Sequence, residues 1–140
     1  MLKLIRARKK GEKGQALVEF TLLVPIFLLL LFAIIDFGMG FYSWITVTNG
    51  AREGARLGAV MGTELQIRDR VDQVVNLPNE GTKMTVTVTN AQGQPGESVV
   101  VNVNYDYDLI TPLAGIVSFV SGNALGPTLT FSSTAEMRLE

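Results

Sequence analysis

Ala16-Leu17-Val18-Glu19-Phe20-Thr21-Leu22-Leu23-Val24-Pro25-Ile26-Phe27-Leu28-Leu29-Leu30-Leu31-Phe32-Ala33-Ile34-Ile35 is the stretch whose reading decides the fold. Between Phe20 and Ile35 it carries no charge. As a helix rising about 1.5 Å per residue it reaches roughly 30 Å, the thickness of a bilayer core. The flanks are asymmetric. Lys3, Arg6, Arg8, Lys9, Lys10 and Lys13 precede it against the single acid Glu12, whereas beyond residue 14 acidic residues outnumber basic ones two to one. Positive charge beside an apolar span marks the cytoplasmic side, so residues 1–13 are expected inside and everything after Asp36 outside. Tyr42 and Trp44 suit the outer interface. A nucleic-acid role for the basic run ranks below this, because the run abuts a membrane-length segment and the remainder is acidic.

The chain has 140 residues, enough for one small domain and an anchor. It contains neither cysteine nor histidine, which excludes disulfides and thiolate chemistry and removes the commonest general base and metal ligand. Three features are unusual for a plain anchor. Pro25 takes a hydrogen bond out of the helix and is expected to kink or open it. Asp36 interrupts the apolar run. Glu19 places a carboxylate inside it, at a cost of about 2.5–3.5 kcal/mol at a bilayer centre and less near the edge. Glu19 is open to two readings: a charge snorkelling to the headgroups, or a functional charge awaiting a cationic partner.

Lys13-Gly14-Gln15-Ala16-Leu17-Val18-Glu19-Phe20 resembles the processing site of type IV prepilins. The resemblance implies that a membrane aspartic peptidase cuts between Gly14 and Gln15, with Glu19 as the family glutamate at the fifth mature position. Phe20 is the aromatic that follows it in the Flp and pseudopilin branch. Gln15 departs from the phenylalanine that begins many mature type IV pilins, which argues against that branch alone. An ordinary secretory signal would need small residues at the outer end of the span, where Asp36-Phe37-Gly38 makes a poor site.

Beyond Asp36 no proline interrupts the chain until after Val60, so the helix can leave the membrane and continue. Gly50, Gly54 and Gly58 recur every four residues, with Ala51, Ala55 and Ala59 beside them, forming one narrow ridge. Each interior glycine costs about 1 kcal/mol relative to alanine, so the ridge needs close packing to offset it. Packing against the chain's own sheet is the preferred reading; contact between subunits is the other. Arg52, Glu53 and Arg56 are either solvated or functional, with Glu53 and Arg56 able to pair on the helix. Ala51-Arg52-Glu53-Gly54-Ala55-Arg56 resembles the signature of TadE-like proteins, the pilin-like proteins of tight-adherence pilus systems. Phe32-Ala33-Ile34-Ile35-Asp36-Phe37-Gly38 and the position of Pro25 do so too. The resemblance runs from Gly14 to about Val60 and reaches the C-terminal half only loosely, through Thr134-Ala135-Glu136-Met137-Arg138.

Thr63 is placed to cap a second helix whose apolar side is Ile67, Val71, Val74 and Val75, ended by Asn76-Leu77-Pro78-Asn79-Glu80-Gly81. Period-two alternation follows. Met84, Val86 and Val88 form one run. Val99, Val101, Val103, Tyr105 and Tyr107 form a second, joined to the first by the turn Asn90–Glu97. Leu129 to Leu139 forms a third. The expected class is α+β: a long N-terminal helix, a short helix, and a three-stranded antiparallel sheet with helices on one face. Leu109 to Pro127 is unusually apolar for a connection and reads as a short helix or flap over the sheet, or as a subunit contact. Asp106 and Asp108 could share a cation but more simply lie solvated at a strand end.

These readings divide the chain into a basic leader (1–14), a helix (15–60) spanning the membrane at about 16–35, and an exported domain (61–140). No catalytic constellation, metal site or cofactor motif emerges. The expected function is a structural pilin-like subunit cut by a prepilin peptidase and assembled with other such subunits into or at the base of a pilus. The alternatives are a major filament subunit of the same fold, or a permanent single-span protein with an external interaction domain. Its partners would be the membrane, the peptidase and other subunits, and no nucleic acid.

Overall fold

The computed structural model describes residues 9–78, 83–122, 126 and 128–140, with side-chain surroundings from residue 14 onward. Most of the basic leader and residues 79–81 of the expected turn lie outside the described residues. Helix α1 (Lys9–Ala59) runs unbroken through Pro25 for 51 residues, about 75 Å. Its two halves differ in kind. From 14 to 35 no residue is buried, and this half is long and apolar enough to cross a membrane. From Asp36 on, a stripe at helical spacing is buried: Asp36, Gly40, Ser43, Val47, Gly50, Ala51, Gly54, Ala55 and Gly58. The folded domain is built on this second half.

Met61, at φ 64°, ends α1: its N–H donates to the Gly58 carbonyl and the Gly62 N–H to the Leu57 carbonyl. That pair of bonds is a Schellman cap with a non-glycine residue in the left-handed position. A Cβ on Gly62 would lie 2.8 Å from the Leu57 carbonyl oxygen, so only glycine lets the chain turn back this tightly. Helix α2 (Glu64–Val74) then starts at Thr63, whose hydroxyl accepts from the Gln66 N–H while the Gln66 side chain accepts from the Thr63 N–H.

Strands β1 (Met84–Thr89), β2 (Ser98–Asp108) and β3 (Thr128–Arg138) form one antiparallel sheet in the order β1-β2-β3. Val103 lies between Val86 and Ser133, and Val101 between Val88 and Ala135. One face of the sheet carries Val99, Val101, Val103, Tyr105 and Tyr107, all buried against α1 and α2. On the other face Asn102 donates to the hydroxyls of Ser132 and Thr134. The architecture is therefore α+β, with two layers and the core between helices and sheet. Helix α3 (Leu113–Val120) lies in the β2–β3 connection. It is the short helix expected in this connection, and none of its residues is fully buried.

Candidate functional site

The glycines at 50, 54 and 58 set the spacing of the domain. A Cβ at Gly50 would stand 2.2 Å from Val75 Cγ2, one at Gly54 2.7 Å from Val71 Cγ2, and one at Gly58 2.9 Å from both Val99 methyls. The ridge thus faces α2 and β2 of its own chain, and Ala51 and Ala55 beside it are fully buried. Glu53 joins the same two helices. Its carboxylate accepts from Arg56 at 2.8 Å on α1 and from Arg70 at 3.2 Å on α2. Hydrogen bonds from Arg56 and then Arg70 hold the Glu53 carboxyl below its ordinary 4.5. Arg52 is exposed.

Asp36 occupies a site that sequence spacing did not reveal. It is 3% exposed. Its Oδ1 accepts the N–H groups of Ile110 at 2.9 Å and Thr111 at 3.2 Å, its Oδ2 accepts the Thr111 hydroxyl, and its backbone carbonyl accepts from the Tyr107 hydroxyl at 3.3 Å. A carboxylate is tolerated in such a place because its acceptor sites are filled. Burial, and then the charge of Asp36, push the Tyr107 phenol above its ordinary 10.0. Asp36 thereby fastens the end of β2 and the entry to α3 to the point where α1 turns from fully exposed to packed. Beside it Gly40 lies under the tilted rings of Tyr107 and Phe131, whose centroids are 5.9 Å apart.

Asp106 and Asp108 do not stand free. Asp106 accepts the Thr130 hydroxyl at 2.6 Å, and Asp108 accepts from Lys83 at 2.5 Å and the Thr128 hydroxyl at 2.7 Å. Lys83 and Thr128 hold the Asp108 carboxyl below its ordinary 3.8. These bonds tie the β1, β2 and β3 ends together, a structural arrangement rather than a cation site.

At the other end of α1, Gly14, Gln15, Glu19 and Phe20 are all exposed. The Gln15 amide donates to Glu19 Oε1 at 3.0 Å, across one turn. A Cβ at Gly14 would meet no described atom within 4 Å. The two ends of the site are therefore unlike: an exposed N-terminal motif on a bare apolar helix, and a buried Asp36 node beneath a folded domain.

Residues 14–56 match the family model of TadE-like proteins, about a third of the chain, and residues 57–140 lie outside the match. The matched residues take in Gly14 to Phe20, Asp36, Gly50 and Gly54, and stop short of Gly58. No curated protein and no solved structure matches the chain.

Proposed function

We propose that this chain is a structural subunit of a tight-adherence, type IV-like pilus system, cut between Gly14 and Gln15 and assembled with other pilin-like subunits. The observation that carries the reading is the position of the motif. Gly14 to Phe20 heads an exposed apolar helix of membrane length, and the same helix becomes the spine of a folded domain at Asp36. The residues matched to the TadE-like family cover both parts. The N-terminus lies inside and the sheet domain outside, by the charge asymmetry of the flanks.

Glu19 is the assembly charge in this reading. In the uncut chain its carboxylate is held by the Gln15 side chain. Cleavage creates an amino group at Gln15, and a carboxylate carried into an apolar filament interior needs such a cation. Glu19→Ala should leave insertion intact or improved and should lower incorporation into purified pili, while cleavage persists. Glu19→Gln should be intermediate at best. Mass spectrometry of protein from its native host should show a chain beginning at Gln15, and Gly14→Leu should block the cut. Full-length chain alone, with the host peptidase present, would refute the reading, as would equal incorporation of Glu19→Ala.

A further inference from the structure

We propose that α3 is seated in the outer leaflet of the bilayer that α1 spans, making a second point of membrane contact; this rests on the single-span reading above. The surface is predominantly apolar. Leu113 and Val117, one turn apart on α3, line an open groove of about 730 Å³ together with Phe37, Phe41, Trp44 and Leu129. Away from the groove, Phe119 is 87% and Val120 79% exposed. From Leu109 to Ala135 the sequence has no charged residue. A patch of this kind on a protein surface calls for cover.

Lipid is the occupant because the patch continues the surface that already requires it. Ile34 and Ile35 end the apolar span, and Phe37 and Phe41, both more than half exposed, lead directly into the groove. Asp36 binds the Ile110 and Thr111 amides, so α3 begins level with the end of that span. A hydrocarbon boundary that covers Ile35 cannot leave the adjoining face of α3 in bulk water without exposing Phe37.

Several polar groups at the two ends of α3 find their partners within the chain. Pro112 has no N–H to satisfy. The Leu113 N–H donates to the Thr111 hydroxyl, and the N–H groups of Ala114 and Ile116 donate to the carbonyls of Thr111 and Pro112. At the far end the Ser121 N–H donates to the Val117 carbonyl and the Ser121 hydroxyl to that of Ser118. Backbone that enters lipid must be satisfied within the protein. A protein partner would call for polar groups that set its register, yet the carboxylate lining the groove, Asp36, is already engaged by Ile110 and Thr111. Helices lying in the interface bury an apolar face about 5–10 Å into the headgroup and acyl boundary.

The chain has no cysteine, so single labels can be placed without background. The full chain is reconstituted at one copy per phosphatidylcholine nanodisc. An environment-sensitive fluorophore is attached at Phe119→Cys or Val120→Cys on α3, at Ile26→Cys in mid-span, or at Thr87→Cys on the polar sheet face. Lipids carrying nitroxide near the headgroup or deep in the chain serve as quenchers. The expected result is loss of fluorescence at both α3 positions with the shallow quencher, at Ile26→Cys with the deep one, and at Thr87→Cys with neither. If the α3 labels behave as Thr87→Cys does while Ile26→Cys is quenched, the span stands and this proposal falls. If Ile26→Cys is also unquenched, both fall. Shielding of the α3 labels only in discs holding two copies would assign the surface to a second subunit and overturn the proposal.

Discussion

Gly50→Ala should destabilise the domain, although alanine is the better helix former. Alanine gains about 1 kcal/mol over glycine in a helix interior. Against that, the new methyl would lie 2.2 Å from Val75 Cγ2, more than an ångström inside the 3.4 Å at which ordinary contact begins. Val75 has little room to yield. It is fully buried, its branched side chain is stiff about χ1, and it is hemmed in by the same ridge. Overpacking of this kind costs about 1–3 kcal/mol, and so deep an overlap belongs at the upper end, leaving a net loss of about 2 kcal/mol. With a urea slope of about 1–3 kcal/mol per molar, the unfolding midpoint should fall by roughly 1 M. The assay is urea titration of the full chain in detergent micelles, followed by far-UV circular dichroism and by the fluorescence of Trp44, the chain's one tryptophan. Gly38→Ala is the control on the same helix. A Cβ there meets no described atom within 4 Å, so the helix preference of about 1 kcal/mol should appear as a gain. Adding Val75→Ala to Gly50→Ala should cost less than the sum of the two changes, by about 0.5–3 kcal/mol, because the clash is between that pair. A Gly50→Ala midpoint at or above wild type would refute the reasoning.

Asp36→Ala should lower stability by about 1–3 kcal/mol, since it leaves the part-buried donors of Ile110 and Thr111 without their acceptor; amide exchange at Ile110 and Thr111 should quicken, and Asp36→Asn should show a smaller loss. Met61→Gly should raise the urea midpoint, because relief of the left-handed conformation, roughly 1–2 kcal/mol, exceeds the added chain entropy of about 0.5–1 kcal/mol. Glu53 and Asp108 are held below their ordinary 4.5 and 3.8 by hydrogen bonds from Arg56 and Lys83, so their contributions are present above those values and are lost as pH falls through the lowered native ones. The midpoint should therefore fall on acidification below about pH 4.5. Glu53→Gln with Asp108→Asn should flatten that slope, whereas an unchanged slope would mean the two pairs contribute nothing to stability.

The local features were legible in the sequence because their causes are local. An uncharged run of membrane length needs no tertiary partner to be a helix in lipid. Thr63 caps α2 where its residue type placed it, and the alternation in β2 marks the buried face. The glycine spacing marked a close contact as well, but α2 and β2, which fill it, were settled only when the chain folded back on α1. Asp36 shows the limit most clearly. In sequence it is a charge that spoils an apolar run. Its partners lie 74 and 75 residues away, and only the placement of β2 on α1 brings them within hydrogen-bonding distance. The same holds for Lys83 with Asp108, 25 residues apart, and for Glu53 with Arg70, 17 apart. Composition sets how much a segment gains from leaving water, but whether a lone carboxylate is solvated, paired or buried depends on which donors the tertiary fold delivers to it.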